Sequence, residues 1–170
     1  NMSTEIITEK ELTKRLDNLG ESLSTKCNDI GGGIVFICVM KGGFMFFSDL
    51  IKRIKYPIEV DFVRCSSYEG QEQKKFALHY DVEADVTDKT VYLVDDIFDS
   101  GNTIKMLTNH FKAKGAKSVT PVVAVYKENV DFPTVYHIYK QPKYVNPWYI
   151  GYGMDGPKGY SRNLKTINIL

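Results

Sequence analysis

The sequence has 170 residues, enough for one domain that buries about two-thirds of its unfolded surface, and its 22 Lys and Arg against 21 Asp and Glu leave a formal charge of +1. That near balance argues against a nucleic-acid or membrane surface held by bulk charge. The longest apolar run, Ile34 to Met40, is seven residues, too short to span a bilayer and too far from the start for a signal sequence, so a cytoplasmic chain is expected.

Thr8-Glu9-Lys10-Glu11 fits a capping box, and Leu12, Leu16, Leu19, Leu23 and Cys27 follow at steps of three or four, which predicts a structural opening helix. Gly31-Gly32-Gly33 breaks it. Ile34-Val35-Phe36-Ile37-Cys38-Val39-Met40 is apolar on both faces, as a central strand of a parallel sheet would be, and Cys38 packs there as a small hydrophobe. Cys27, Cys38 and Cys65 lack C-x-x-C spacing and should be free thiols; His79, His110 and His137 share no ligand spacing with them, which argues against zinc. Lys41-Gly42-Gly43 turns the chain into a second helical pattern, Phe44, Phe47, Leu50, Ile51 and Ile54; two glycines there suit an ordinary tight turn, and they also let an anion approach the main chain.

Ile58 to Arg64 alternates apolar and polar, predicting a strand with one wet face near an edge. The polar stretch from Cys65 to Lys75 reads as a lid or a hairpin. After the unit that follows it, Val119 to Tyr126 is a further central strand ending at Lys127, on the sheet edge where ligands of open α/β sheets bind. An aromatic region with Tyr136, Tyr139, Tyr144, Trp148, Tyr149 and Tyr152 leads to Asp155, Arg162 and a final apolar segment. Gly151-Tyr152-Gly153-Met154-Asp155-Gly156 matches the dinucleotide fingerprint, but Pro157 and Gly159 prevent the helix that must follow, so it is rejected.

The chain is organised around Val91 to Thr103. An apolar run, Val91-Tyr92-Leu93-Val94, stops at Asp95 and Asp96, with a third carboxylate at Asp99; then Ser100-Gly101-Asn102-Thr103 opens a helical pattern of Ile104, Leu107 and Phe111 that stops at Gly115. Strand, acidic loop and helix in that order leave the amides of Gly101, Asn102 and Thr103 at a helix N-terminus, where a phosphate monoester fits. Like charges repel, so Asp95 and Asp96 must hold something else: ribose hydroxyls, a divalent cation, or both. A phosphorylated sugar with a metal suits both halves of the loop.

These thirteen residues resemble the phosphoribosyl-pyrophosphate (PRPP) signature of type I phosphoribosyltransferases. From about Val35 to Leu164 the chain is similar to the hypoxanthine-guanine phosphoribosyltransferase family, with separated motifs in the family's order. The resemblance implies a type I phosphoribosyltransferase fold of α/β class: a central, mainly parallel sheet flanked by helices in a single domain, 1–170, with a small hood from the N-terminal segment and roughly 135–170. It implies purine salvage, hypoxanthine and guanine reacting with PRPP to give IMP or GMP and pyrophosphate, with Mg2+, in a homodimer or homotetramer, and no nucleic-acid or membrane partner.

Residue by residue, it implies that Asp99, Ser100, Gly101, Asn102 and Thr103 bind the 5′-phosphate, that Asp95 and Asp96 approach the ribose hydroxyls and the magnesium bound with them, and that Asp99 is the general acid/base at purine N7. Lys41 and Gly42 form the pyrophosphate loop, with a cis peptide at Met40-Lys41 and Arg162 as a second ligand. Ser67 and Tyr68 belong to the mobile catalytic loop. Lys127 meets the purine O6, Trp148 stacks on the ring, Tyr149 offers main-chain groups, and Asp155 holds a second magnesium through water. Trp148 stands where many members have Phe, and Asn102 where a Lys is common. A donor at Lys127 favours a 6-oxo group over the 6-amino group of adenine. Two other readings are a non-catalytic nucleotide- or RNA-sensing regulator that keeps the PRPP fold, and a phospho-acceptor receiver domain, whose acidic pair would follow the first strand.

Overall fold

The structure, a computed structural model, describes residues 3–69, 74–98, 101–127, 132–143 and 145–170, with their side chains except at 67–69, 74 and 75. The opening helix, α1 (Glu9–Ile30), starts where the Thr8 hydroxyl accepts the Glu11 amide at 3.1 Å. It buries Leu12, Leu16, Leu19, Leu23 and Cys27, and ends where Gly31 and Gly32 take positive φ. A strand before it, β1 (Thr4–Ile7), was not legible in the sequence. Then come β2 (Ile34–Met40) and α2 (Phe44–Ile51); α2 buries Phe46, Phe47 and Leu50 and leaves Phe44 exposed.

The long polar stretch is largely strand: β3 (Glu59–Glu69) and β4 (Lys74–Tyr80) pair antiparallel. The organising unit is β5 (Thr90–Phe98) followed by α3 (Asn102–Ala113). β6 (Ser118–Tyr126) and β7 (Tyr136–Lys140) complete the main sheet, β7 being formed by part of the aromatic region. The C-terminal segment adds β8 (Tyr149–Ile150) and β9 (Ile167–Ile169).

The main sheet has six strands in the order β4-β3-β2-β5-β6-β7, all parallel except β4. From β2 the chain steps outward to β3, then returns to the other side of β2 with β5. Connections leave in opposite directions from β2 and β5, which puts the topological switch point between them and a crevice outside their carboxyl ends. Lys41 follows one of these strands, and Asp95-Asp96 lie among the last four residues of the other.

Alternate residues feed two cores. Phe36, Cys38, Tyr92 and Val94 pack towards α1 and α2, with the Phe36 and Tyr92 rings 4.8 Å apart; Val35, Ile37, Val39, Val91 and Leu93 pack with Ile104, Leu107 and Phe111 of α3. Burial pushes the thiols up, Cys27 and Cys65 to about 11 and Cys38 to about 12, with Asp95 adding to the rise at Cys65 and Asp95 and Asp96 at Cys38. All three are free.

β3 inverts its apparent pattern. Its inward residues are Asp61 and Val63, while Val60 and Phe62 are exposed. The reason is the Asp61 carboxylate, which accepts the amides of Phe62, Glu83 and Ala84 at 2.7, 2.9 and 2.8 Å and so pins the turn before β5. A buried acid with three amide donors tolerates the inner face that its type would otherwise avoid.

A second, three-stranded sheet, β1-β9-β8, joins the two ends of the chain antiparallel and sinks Ile7 and Ile167 into the α1 and α2 core. Among the described residues, no helix is long and apolar enough to cross a membrane.

Candidate active site

The acidic pair lies within β5, two residues before its end at Phe98, in a defined posture. Asp95 Oδ1 accepts the Asp96 amide at 2.8 Å and Asp96 Oδ1 accepts the Ile97 amide at 2.7 Å, so each carboxylate keeps one oxygen on the backbone. Asp95 is buried; burial first, and the neighbouring Asp96 second, push its carboxyl well above the ordinary range. Such a group gains from a cation or from hydroxyl donors brought by a ligand.

Beyond the pair, Gly101 takes φ 78° and starts α3, a helix of 12 residues. A cavity of about 190 Å³ lies between Asp95, Asp96, Ile97 and Phe98 on one side and Gly101, Asn102, Thr103 and Ile104 on the other. The acidic pair and the helix N-terminus therefore face one space, where amides and dipole favour an anion. Asp99 and Ser100, the other two residues assigned to this loop, lie outside the described residues.

The Met40-Lys41 peptide is cis, as the resemblance led one to expect. Gly42 and Gly43 then pass directly over the acidic pair. A Cβ on Gly42 would stand 2.0 Å from Asp96 Oδ2, and one on Gly43 would stand 2.9 and 3.0 Å from the carbonyls of Val39 and Val94. At Gly43 the obstacle is backbone, so the fold requires glycine; at Gly42 it is the Asp96 carboxylate, which an added methyl would displace. Lys41 is exposed at the rim.

The rejected dinucleotide match has a structural role. Gly151 and Gly153 both take positive φ, and a Cβ on Gly153 would stand 2.6 Å from the Gly42 carbonyl. Arg162 donates from Nη1 to the Gly153 carbonyl at 2.7 Å and its Nη2 lies 3.2 Å from Asp155 Oδ2. Arg162 thus stands near the Lys41-Gly42 loop, with its guanidinium on the turn that touches that loop.

A second cavity, of about 360 Å³, is lined by Asp96, Ile97, Lys127, Asn146, Pro147, Trp148, Tyr149, Met154 and Asp155. Lys127 is 7% exposed, donates to Asn146 Oδ1 at 2.9 Å, and lies 5.9 Å from the centroid of the Tyr149 ring. Trp148 is 58% exposed, its indole NH bonded to the Asp155 carbonyl at 3.1 Å, which leaves ring surface open to a ligand. The buried Tyr149 ring turns its hydroxyl to Gln141 Oε1 at 2.9 Å. Both cavities share Asp96 and Ile97 as a wall. An anion cradle and a flat-sided pocket with a buried ammonium therefore adjoin at one point.

β3 pairs with β2 only as far as Arg64, opposite Met40, so the rest of β3 overhangs the rim with β4. Ser67 and Tyr68 belong to that overhang, pairing with Phe76 and Lys75; their side chains lie outside the description. Sequence reasoning missed Ile97, Asn146 and Met154. Ile97 sat unremarked inside the acidic stretch, and Asn146-Pro147, a turn signal immediately before Trp148, could have been read.

Among the described residues, no cluster of three or more His, Cys, Asp or Glu could cage a metal ion. The carboxylates of Asp95 and Asp96, each with one oxygen on the backbone, are the candidate ligands.

Comparison with known proteins agrees with this geometry. The profile of the phosphoribosyl transferase domain family matches residues 9–156. A hypoxanthine-guanine phosphoribosyltransferase of Streptococcus mutans is 30% identical over 175 residues, covering 100% of this chain and 94% of that protein. A hypoxanthine phosphoribosyltransferase of Salmonella typhimurium is 29% identical over 160 residues, covering 91% of this chain and 88% of that one. The crystal structure of a hypoxanthine-guanine phosphoribosyltransferase from Bacillus anthracis superimposes with a TM-score of 0.87 at 31% identity, covering 100% of this chain and 99% of that one.

Proposed function

The chain belongs to the phosphoribosyl transferase domain family, and from that membership we propose that it is a purine-salvage enzyme, joining hypoxanthine, and guanine as well, to the ribose of PRPP with release of pyrophosphate. The observation that carries this reading is the wall shared by the two cavities, since a sugar-phosphate in one and a purine in the other would meet at Asp96 and Ile97.

In this reading the amides of Gly101, Asn102 and Thr103, with Asp99 and Ser100, hold the 5′-phosphate, and Asp95 and Asp96 take the ribose hydroxyls. Lys41, the Gly42 amide and Arg162 receive the pyrophosphate. The C1–oxygen bond to pyrophosphate breaks as the C1–N9 bond to the base forms; positive charge grows on the ribose and negative charge on the leaving group, so cations and amides at the Lys41-Gly42 loop lower the barrier. Lys127 donates to the purine O6, Trp148 covers one face of the ring, Tyr149 offers main-chain groups, and Asp99 exchanges a proton at N7. Ser67 and Tyr68, on the overhanging hairpin, close over the ribose and keep water from C1. The three-stranded sheet acts as a hood over the base.

Magnesium fits the donor set, because Mg2+ takes one or two protein carboxylates and completes its shell with substrate oxygens and water. Asp95 and Asp96 would hold one ion and Asp155, through water, a second; bound there, the metal supplies charge neutralisation to the diphosphate. The reading extends to a homodimer or homotetramer working in the cytoplasm. Its supports are an apolar exposed set, Phe44 at 41%, Val60 at 45% and Phe62 at 39%, and three free cysteines of the kind a reducing compartment leaves. Sedimentation of the purified protein tests the assembly, and a monomer at micromolar concentration refutes it.

The deciding assay is ultraviolet detection of nucleotide from PRPP and magnesium with hypoxanthine, guanine, xanthine or adenine in parallel. Product is expected with hypoxanthine and guanine and not with adenine. Product from none of the four overturns the proposal.

A further inference from the structure

Tyr152 takes no part in the chemistry above, yet its geometry is unusual. It is a non-glycine residue at φ 49°, between two glycines that also take positive φ. A side chain holds that backbone only where its surroundings over-determine it. Here the Tyr152 amide donates to the Leu164 carbonyl at 2.9 Å, the ring is 5% exposed, and the hydroxyl donates to Asp49 Oδ2 at 2.6 Å, across 103 positions of sequence.

The two partners lie on two different parts of the proposed diphosphate site. Asp49 is on α2, the short helix that begins immediately after Lys41-Gly42-Gly43; Gly43 is its N-cap, its carbonyl accepting the Phe47 amide at 2.9 Å. Tyr152 is on the turn whose next residue, Gly153, lies so near the Gly42 carbonyl that a Cβ there would stand 2.6 Å from it, and holds Arg162 through both its own groups, the amide donating to the Arg162 carbonyl at 2.9 Å and the carbonyl accepting from Nη1 at 2.7 Å. Asp49 is itself fixed: its carbonyl accepts Arg53 Nη1 at 2.8 Å, and Arg53 Nε is anchored to Asp17 on α1 at 2.7 Å. Burial, then the hydrogen bond and charge of Asp49, push the Tyr152 phenol up, so it stays a donor.

We propose that the Tyr152–Asp49 hydrogen bond is a positioning clamp that sets the spacing between the Gly42 loop and the Arg162 turn, and thereby the affinity for the diphosphate end of PRPP. The proposal rests on the reading of the chain as a PRPP-dependent transferase. Neither residue lines either of the two site cavities, so Tyr152 acts through Gly153, Gly42 and Arg162. Tyr152 and Asp49 both line a separate cavity of about 470 Å³, together with Phe44, Ser48 and Asn163.

The test compares Tyr152→Phe, Asp49→Ala, Asp49→Asn and the Tyr152→Phe/Asp49→Ala double variant, with Tyr56→Phe as a control that loses a tyrosine bond elsewhere, to the Gly32 carbonyl at 3.0 Å. Loss of one such bond corresponds to a change of about five- to tenfold. Tyr152→Phe and Asp49→Ala should each raise KM for PRPP and the inhibition constant of pyrophosphate by about that factor, with KM for hypoxanthine held within about twofold. The double variant should be no worse than either single one, and Asp49→Asn, which keeps an acceptor oxygen, should return towards the parent values. Lower melting temperatures with unchanged PRPP and pyrophosphate constants would reduce the bond to a structural one and overturn the clamp, as would additive effects or equal shifts for PRPP and hypoxanthine. Hydrogen exchange supplies a readout independent of turnover: Tyr152→Phe should speed exchange in peptides covering 41–44 and 151–155. If the parent protein makes no nucleotide from PRPP, the transferase reading fails, and unchanged exchange in those peptides separately overturns the clamp.

Discussion

Gly42→Ala gives a direct measure of how tightly the Lys41-Gly42 loop is set against the acidic pair. The added methyl would stand 2.0 Å from Asp96 Oδ2 and 2.6 Å from its Cγ, where ordinary contact begins near 3.4 Å, so the carboxylate must retreat by about 1.4 Å. Those atoms belong to a side chain, and Gly42 does not take positive φ, so the fold can absorb the change. The stability cost is confined to the Asp96 Oδ1 bond to the Ile97 amide, about 1 kcal/mol, partly offset by the stiffer unfolded chain. Catalysis should suffer more, because a displacement near 1 Å in a positioning group costs about 100-fold, or ~2.7 kcal/mol of transition-state stabilisation. Steady-state rates should therefore show kcat/KM for PRPP down about 100-fold, with a melting temperature within a few degrees of the parent. Gly43→Ala behaves differently: its methyl meets the carbonyls of Val39 and Val94, backbone atoms of the two central strands, and about 1–3 kcal/mol of stability should be lost. A Gly42→Ala protein that keeps kcat/KM for PRPP within about threefold would refute the placement of Asp96 in the productive site.

Lys127→Met should lower kcat/KM for hypoxanthine by about 100-fold, the scale of a lost buried donor, while KM for PRPP stays within about twofold; equal losses for both substrates in initial-rate kinetics would count against a purine contact. Asp61→Ala should cost about 2–4 kcal/mol in chemical denaturation, since the amides of Phe62, Glu83 and Ala84 lose their acceptor; a loss below about 1 kcal/mol would contradict the account of β3. Asp81 ties the segment after β4 to α3, accepting Lys114 Nζ and His110 Nε2, each at 3.0 Å. Burial pushes its carboxyl up, but hydrogen bonds from Lys114, the Val82 amide and His110 outweigh it and hold it below the ordinary value. The bond therefore contributes above the unfolded carboxyl pKa of about 3.9 and is lost as pH falls through the lower folded value. Asp81→Asn should be less stable by about 1 kcal/mol at pH 7, and the gap should close below about pH 4; a gap that widens in acid would reverse the sign.

Local order was legible wherever a short stretch carries its own physical signal. The Thr8 cap, the stripe from Leu12 to Cys27, the doubly buried Ile34–Met40 strand and the apolar Val91–Val94 strand with a helix after it depend on neighbours within a few residues, and the structure places each where the pattern puts it. The acidic pair, expected in a loop, lies instead on β5, which runs on to Phe98 because β6 supplies pairing partners as far as Tyr126. β1 and β7 were not read as strands, and β4 only as one arm of a hairpin set beside a lid, because a short polar or mixed segment becomes a strand only when a distant partner completes its hydrogen bonds. The same holds for the inward turn of Asp61, whose donors at Glu83 and Ala84 lie more than 20 residues away.

For the site, residue types and their order pointed to the helix N-terminus at Gly101 to Thr103, the acidic pair and the Lys41-Gly42 turn, and the family resemblance added Lys127, Trp148 and Asp155, which line one cavity. What only the tertiary structure decided was their conjunction: that Asp96 and Ile97 wall two cavities at once, that Gly42 has no room for a side chain because Asp96 fills it, and that a discarded glycine motif bears on that same loop. Each depends on distances between segments far apart in the chain, which are fixed by the packing of the whole sheet and not by any local preference.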